Sequence, residues 1–182
     1  TATGGLQFFE FKQNKVTSKK INISKKTKLE LEKNLLLFFV GNTRKSSSIL
    51  KKQIKKTQDK NQKTLNALHS VKHLAESLYD SLNNSDITKF GELLDAGWTA
   101  KKNFSNNVSN FKIDSIYDYA LKNGVIGGKI TGAGGGGHLI LYCNVNKQKS
   151  LIEKLGKKGL THIPFSFYDK KPKVINLANF IE

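Results

Sequence analysis

The most informative segment of this chain is Gly128-Lys-Ile-Thr-Gly-Ala-Gly-Gly-Gly-Gly-His138. It places five glycines among the seven residues from Thr131 to Gly137, and the apolar segment Leu139–Tyr142 follows. Glycine lets a ligand approach the backbone closely, and successive backbone N–H groups can form an anion-binding concavity. A strand, not a helix, follows the glycines, so the loop is neither a Walker A nor a Rossmann loop. A plain hairpin is the alternative, although a hairpin needs only one or two glycines.

Upstream of this loop the pattern predicts strands first and helices later. Leu6–Phe11 and Val16–Ile23 are predicted to form a hairpin, which a polar, lysine-rich connection over Ser24–Lys33 follows. The continuous apolar run Leu35–Val40 predicts a buried strand. Apolar residues then recur at helical spacing from Ile49 to about Asn83.

Two further helices are predicted before the loop, one capped by Asp86 and one over Ile113–Lys122. After the glycine loop we expect a strand over His138–Cys143, a helix over Lys149–Lys158 and a strand over Thr161–Phe167. Helices packed on one face of a small antiparallel sheet make an α+β architecture. Trp98, on the Asp86 helix, is interpreted as a core residue and not as a platform for a sugar.

The net charge of +17 raises the question of nucleic-acid binding, which we do not predict. Only Arg44 among the 31 basic residues is arginine, whereas nucleic-acid binders rely on arginine for bidentate and stacking contacts. A solvated basic surface is the simplest interpretation. A polyanion-binding face and a positive field that attracts a phosphorylated substrate remain alternatives.

Other classes of protein find little support in the sequence. The apolar runs are too short for a membrane helix, the single Cys143 fits a cytoplasmic location, and no Cys/His cluster has metal-ligand spacing.

Arg44 is predicted to bind a phosphate, with Thr43 and Ser46 as further donors at the start of a helix. The alternative for Arg44 is a surface residue beside a helix cap.

The glycine loop and the apolar strand after it resemble the third motif of the GHMP kinases, which include galactokinase, homoserine kinase and mevalonate kinase. Within that family the chain is most similar to the D-glycero-D-manno-heptose 7-phosphate kinases. The segments that carry this similarity, besides the loop, are Ala2–Phe11, Leu35–Leu50, Phe90–Leu94, Trp98–Lys101 and Ile113–Tyr117. His138 departs from the apolar residue expected there, and its ring is interpreted as packing at the start of the strand.

The resemblance implies a ferredoxin-like carboxy-terminal domain over residues 34–182, preceded by a hairpin and linker, residues 1–33, that remain from a truncated amino-terminal domain. It implies transfer of the γ-phosphoryl group of ATP, with Mg²⁺, to the anomeric hydroxyl of a heptose 7-phosphate. Thr131, Gly132, Ala133, Gly134, Gly135, Gly136 and Gly137 would surround the phosphoryl group, and Lys101 would contact the substrate phosphate.

The same resemblance implies that parts of the enzyme lie outside this chain. The catalytic Asp is expected upstream of Thr1, so no catalytic residue is assigned here, and the loop that binds the ATP phosphates is missing. ATP and Mg²⁺ therefore need the amino-terminal half, and we expect this fragment alone to be inactive. A homodimer is left open. The alternatives are another GHMP kinase, a catalytically dead remnant and, more remotely, a basic nucleic-acid-binding α+β module.

Overall fold

The computed structural model describes residues 4–41 and 46–170, with the side chain of Ser46 left out. The strands are β1 (Gln7–Lys12), β2 (Lys15–Lys20), β3 (Leu35–Phe39), β4 (Val125–Ile130), β5 (His138–Cys143) and β6 (Thr161–His162). The helices are α1 (Lys25–Asn34), α2 (Ser46–Gln58), α3 (Gln62–Asn83), α4 (Ile87–Lys102), α5 (Phe111–Lys122) and α6 (Val145–Gly156). The α+β class predicted from the sequence is confirmed.

Two antiparallel sheets are present in the described part of the chain. β1 and β2 form the predicted hairpin, and the four-stranded sheet has the order β4-β5-β3-β6. In that sheet Leu35 pairs with Tyr142, and Ile130 pairs with Leu139. The apolar segments on either side of the glycine loop thus become neighbouring strands, and the loop connects them.

The four-stranded sheet is covered on both faces, as alternate residues of β5 show. Leu139 and Leu141 belong to one core cluster, together with Trp98 and apolar residues of α5 and α6. Tyr142 belongs to a second cluster, which contains Leu31 of α1 and residues of the hairpin. Trp98 is fully buried, as the sequence predicts for a core residue.

The prediction of a polar connection over Ser24–Lys33 is wrong, because residues 25–34 form helix α1. Ser24 caps this helix by accepting a hydrogen bond from the backbone N–H of Thr27, at 3.0 Å. Leu31 is buried against the hairpin side of the sheet. One buried leucine among many lysines gives too weak a periodicity to reveal such a helix.

Three predicted boundaries also differ from the structure. The helical pattern from Ile49 to Asn83 is interrupted after α2, where Lys60 has a φ of 51° and Asn61 caps α3. Helix α6 begins at Val145, four residues before its predicted start. β6 contains only Thr161–His162 of the predicted strand, because only these two residues pair with β3.

Candidate functional site

The glycine loop, defined here as residues 131–137, is closed at its base by contacts between β4 and β5. The backbone N–H of Thr131 donates to the carbonyl of His138, at 2.9 Å. Val40, just beyond β3, donates to the carbonyl of Gly137, also at 2.9 Å. The loop is therefore fixed to two strands of the sheet, although Thr131 and Gly132 are exposed. Such a base holds the backbone of an exposed loop in a defined place.

The conformation of the loop requires glycine. All five of its glycines have positive φ, from 68° at Gly132 to 148° at Gly136. At Gly134, with a φ of 104°, an added Cβ would also lie 2.6 Å from the carbonyl oxygen of Val108. The neighbouring Gly135 donates its N–H to that same carbonyl, at 2.7 Å. Val108, in the segment after α4, thus braces the loop from outside the sheet.

Some backbone donors of the loop are used by the protein and others are available. The N–H groups of Thr131, Gly135 and Gly137 donate to carbonyls of His138, Val108 and Gly41, respectively. Within residues 4–41 and 46–170, no acceptor is found for the N–H groups of Gly132, Ala133, Gly134 and Gly136. Backbone N–H groups left unpaired in a glycine-rich loop are the donors that bind anions.

Two lysines stand beside the loop. Lys101, in the last turn of α4, donates from Nζ to the carbonyl oxygen of Gly132. Burial, followed by the positive charge of Lys129, lowers the pKa of Lys101 to about 8. Burial also lowers the pKa of Lys129, which lies in β4 two residues before the loop. In the structure Lys101 contacts the loop itself, through its hydrogen bond to Gly132. Its contact with a substrate phosphate stays a prediction.

Lys129 was not predicted as a site residue, although it lies within the glycine-rich segment 128–138. Both lysines line a cavity of about 130 Å³ between α3 and α4. The rest of the lining is apolar and includes Val71, Leu74 and Leu93. Apolar walls exclude water from around the two ammonium groups, which is the cause of their lowered pKa values.

A partly buried hydrogen-bonded pair, Tyr117 and Asp95, supports the strand that leads into the loop. Tyr117 of α5 places its hydroxyl 2.7 Å from Oδ1 of Asp95 and 3.1 Å from the carbonyl oxygen of Gly128, and donates toward these acceptors. Burial and then Asp95 raise the pKa of Tyr117 well above its usual value. Tyr117 therefore stays protonated and links α4, α5 and β4. Asp95 had no signal in the sequence beyond a polar position on an amphipathic helix.

The remaining predicted site residues are only partly described. Arg44 and Thr43 lie outside the described residues, and Ser46 begins α2 with its side chain likewise outside them. The phosphate contacts predicted for these three residues stay predictions. The ring of His138 packs against Phe39, with centroids 5.5 Å apart, as the sequence analysis expects.

The described part of the chain offers neither a metal centre nor a membrane span. Over residues 4–41 and 46–170, no group of three or more His, Cys, Asp or Glu side chains is arranged to hold a metal ion. No helix in the same ranges combines the length and the apolar character that crossing a bilayer needs.

Comparison with known proteins agrees with this geometry. Residues 78–160, which contain α4, α5, α6 and the glycine loop, match the family described as GHMP kinases C terminal. The chain is 33% identical over 165 residues to the D-glycero-alpha-D-manno-heptose 7-phosphate kinase of Campylobacter jejuni. This match covers 90% of the chain and 48% of that relative. It is also 35% identical over 100 residues to the galactokinase of Candida albicans, covering 53% of the chain and 19% of the relative.

Solved structures give the same result for the fold. A Campylobacter jejuni protein assigned as a sugar kinase superposes with a TM-score of 0.67 at 30% identity, covering 93% of this chain and 48% of that one. The mevalonate kinase of L. major, solved with R-mevalonate, superposes with a TM-score of 0.70 at 18% identity, covering 94% and 51%. The chain thus spans about half the length of these proteins. It belongs to the GHMP kinase family, of which it carries the carboxy-terminal part.

Proposed function

We propose that this chain is part of an ATP-dependent kinase that phosphorylates the anomeric hydroxyl of a heptose 7-phosphate. The observation that carries the proposal is the glycine loop, which has two adjacent lysines and four N–H groups without an acceptor in residues 4–41 and 46–170. The similarity to a heptose 7-phosphate kinase along 90% of the chain supports this acceptor over others. We call the chain together with the segment expected upstream of Thr1 the complete enzyme.

The residues of this chain would act by positioning and by charge. Phosphoryl transfer depends on in-line alignment and on stabilising charge at the equatorial oxygens, more than on covalent chemistry. The N–H groups of Gly132, Ala133, Gly134 and Gly136, for which the described residues provide no acceptor, can donate to those oxygens. Lys101 holds the loop through the Gly132 carbonyl and adds a positive charge beside it. Preorganised donors of this kind need no rearrangement as charge develops in the transition state.

Other parts of the reaction are assigned to the amino-terminal half. A catalytic Asp there would orient or deprotonate the acceptor, and Mg²⁺, when bound, would supply positive charge to offset the negative charge of the ATP phosphates. The described residues hold no acidic cluster for the ion, so we assign it no residue of this chain. The domain boundary at residues 33 and 34 and a cytoplasmic location belong to the same proposal. The 182-residue chain alone should show no sugar-kinase or ATPase activity above a buffer blank.

The acceptor is tested by Arg44→Ala in the complete enzyme. A phosphate remote from the reacting hydroxyl must be paired, and Arg is the side chain that meets phosphate bidentately. The variant should raise KM for heptose 7-phosphate tenfold or more, which corresponds to about 1.4 kcal/mol of lost binding. KM for ATP and the activity on unphosphorylated sugars should barely change. Equal losses for ATP and sugar phosphate would assign Arg44 to the nucleotide or to the fold.

A second candidate is another GHMP kinase that acts on a neutral sugar or a small alcohol, since a galactokinase and a mevalonate kinase also match the chain. The complete enzyme should be assayed with heptose 7-phosphate, galactose and mevalonate at equal concentrations. The highest kcat/KM is expected for the heptose phosphate. A preference for a neutral acceptor would remove this substrate and leave the kinase assignment in place.

A further inference from the structure

A second positively charged site lies away from the lysines of the glycine loop. Helix α2 and the segment after α4 enclose an open cavity of about 400 Å³, which we call the α2 cleft. On the α2 side it is lined by Lys52, Lys55, Lys56 and Asp59, and on the other side by residues 105–107. Its size suits a small phosphorylated molecule more than a single water or metal ion.

The charges of the α2 cleft are unbalanced. Three ammonium groups face one carboxylate, and Lys52, Lys55 and Lys56 recur at the three- and four-residue spacing that brings side chains together on a helix. Among the described residues none of the three lysines forms an ion pair. Like charges at this spacing repel each other, and a bound anion would relieve that repulsion.

Ser105 provides an observation that is independent of the lysines. It is 2% exposed, and its hydroxyl has no hydrogen-bond partner among the described residues. Because a buried polar group without a partner is unfavourable, such hydroxyls are normally paired in folded proteins. Ser105 lines the cleft, where a phosphate oxygen would accept the hydrogen bond that the protein leaves unmade.

The cleft is physically joined to the glycine loop. The N–H of Val108 donates to the carbonyl of Ser105 at 3.2 Å, and the carbonyl of Val108 accepts from Gly135 at 2.7 Å. A ligand on residues 105–107 therefore touches the same short segment that braces the loop.

We propose that the α2 cleft is an anion site for the phosphate group of a small phosphorylated molecule, connected to the glycine loop through residues 105–108. Lys52, Lys55 and Lys56 supply the positive charge, and Ser105, which lines the cleft, supplies a hydroxyl that has no partner among the described residues. The phosphate could be carried by the acceptor sugar or by a separate effector. Both have the same recognition chemistry, and the experiment separates them.

The test is a titration of the 182-residue chain with glucose 6-phosphate at about 150 mM salt, followed by amide chemical shifts in ¹H–¹⁵N NMR. Shifts should concentrate on residues 105–108 and Gly135. Lys55→Gln/Lys56→Gln should raise Kd about tenfold. The matched control Lys51→Gln/Lys72→Gln, which removes two lysines that do not line the cleft, should change Kd less than twofold. Equal losses in the two double variants, shifts located elsewhere or no saturable binding would overturn the proposal.

Ser105→Ala gives a second readout that a purely structural role would not produce. Removing an unpaired buried hydroxyl should leave Tm of the free chain unchanged or slightly raised, while Kd for glucose 6-phosphate rises about fivefold. A fall in Tm with unchanged Kd would show that the hydroxyl serves the fold and would contradict its role in the site.

Titrations with inorganic phosphate and with heptose 7-phosphate then identify the source of the phosphate. If the heptose phosphate binds at least tenfold more tightly than inorganic phosphate, the cleft takes the acceptor. Similar affinities indicate an effector site that recognises the phosphate alone. Glucose, which carries no phosphate, should leave the shifts of residues 105–108 unchanged, and equal shifts with glucose would contradict an anion site.

Discussion

Two groups of glycines lie next to each other in this chain and serve opposite purposes. Gly127 and Gly128 lie in β4, where an added Cβ would come within 2.0 Å of the carbonyl of Gly91 and 2.4 Å of the carbonyl of Ile140, respectively. The loop glycines instead share positive φ, and Gly132 has open space around its position for a Cβ. Gly127 lets α4 approach the sheet, and Gly128 lets β4 lie close against β5. The second group presents backbone donors, so mutations should separate stability from activity.

Gly127→Ala should have the largest effect, and the effect should be on folding. The clash is with the backbone of α4, which cannot move without separating the helix from β4. We expect a loss of about 3 kcal/mol or more in the free energy of unfolding, the upper part of the range for overpacking of a core. Urea denaturation of the 182-residue chain measures it.

Gly97→Ala is the matched control for this prediction, because Gly97 lies on α4 with nothing within 4 Å of its added Cβ. Alanine favours a helix over glycine by about 1 kcal/mol, so this variant should be neutral or more stable. Equal losses for Gly127→Ala and Gly97→Ala would show that close packing is not what requires glycine in β4.

Gly134→Val should have the next largest effect, on turnover. Its side chain would meet the carbonyl of Val108 and displace the donors of the loop. In the complete enzyme kcat should fall about a hundredfold or more, as for loss of preorganised donors. Because the loop lies at the end of the sheet, the circular dichroism spectrum should persist. A wild-type kcat in this variant would show that the loop serves only as a hairpin connection between β4 and β5.

Lys101 should give a smaller, pH-dependent effect. As pH rises through about 8, folded Lys101 loses its proton and its charge beside the loop. In the complete enzyme kcat/KM for heptose 7-phosphate should therefore fall above pH 8. Below pH 8, Lys101→Gln should lower kcat/KM about tenfold. Lys101→Arg, which stays charged, should remove this decrease in kcat/KM above pH 8, whereas the control variant Lys102→Gln should retain it. A decrease that persists in Lys101→Arg would assign the titration to another group.

The same lowered pKa has a consequence for stability. The unfolded chain should hold this proton up to about 10.5, so between pH 8 and 10.5 the unfolded state binds more protons than the folded one. The penalty for burying the charged form is fully present below pH 8 and is relieved as pH rises through this window. Lys101→Gln should therefore reduce the gain in unfolding free energy from pH 8 to 10. Unchanged pH dependence in this variant would contradict the shift.

The sequence predicted most of what local patterns determine. The hairpin, β3, β5, the Asp86-capped helix and the glycine loop all follow from apolar periodicity, caps and glycine clustering. Helix α1 did not, because its stability comes from the single buried Leu31 and from tertiary packing. The sequence also did not predict the roles of Lys129 and Val108 or the Tyr117–Asp95 hydrogen bond. Their roles depend on contacts between segments distant in sequence, which no local pattern encodes.

A direct action of the loop in phosphoryl transfer should distinguish Gly132→Ala from Gly159→Ala in the complete enzyme. Both glycines have positive φ, 68° and 82°, and an added Cβ at either position meets nothing within 4 Å. The two variants should therefore lose similar, small amounts of stability. Gly132→Ala should lower kcat about fivefold or more, while Gly159→Ala should stay within twofold of the wild type. Equal kcat values for the two variants would exclude a role of the loop in catalysis.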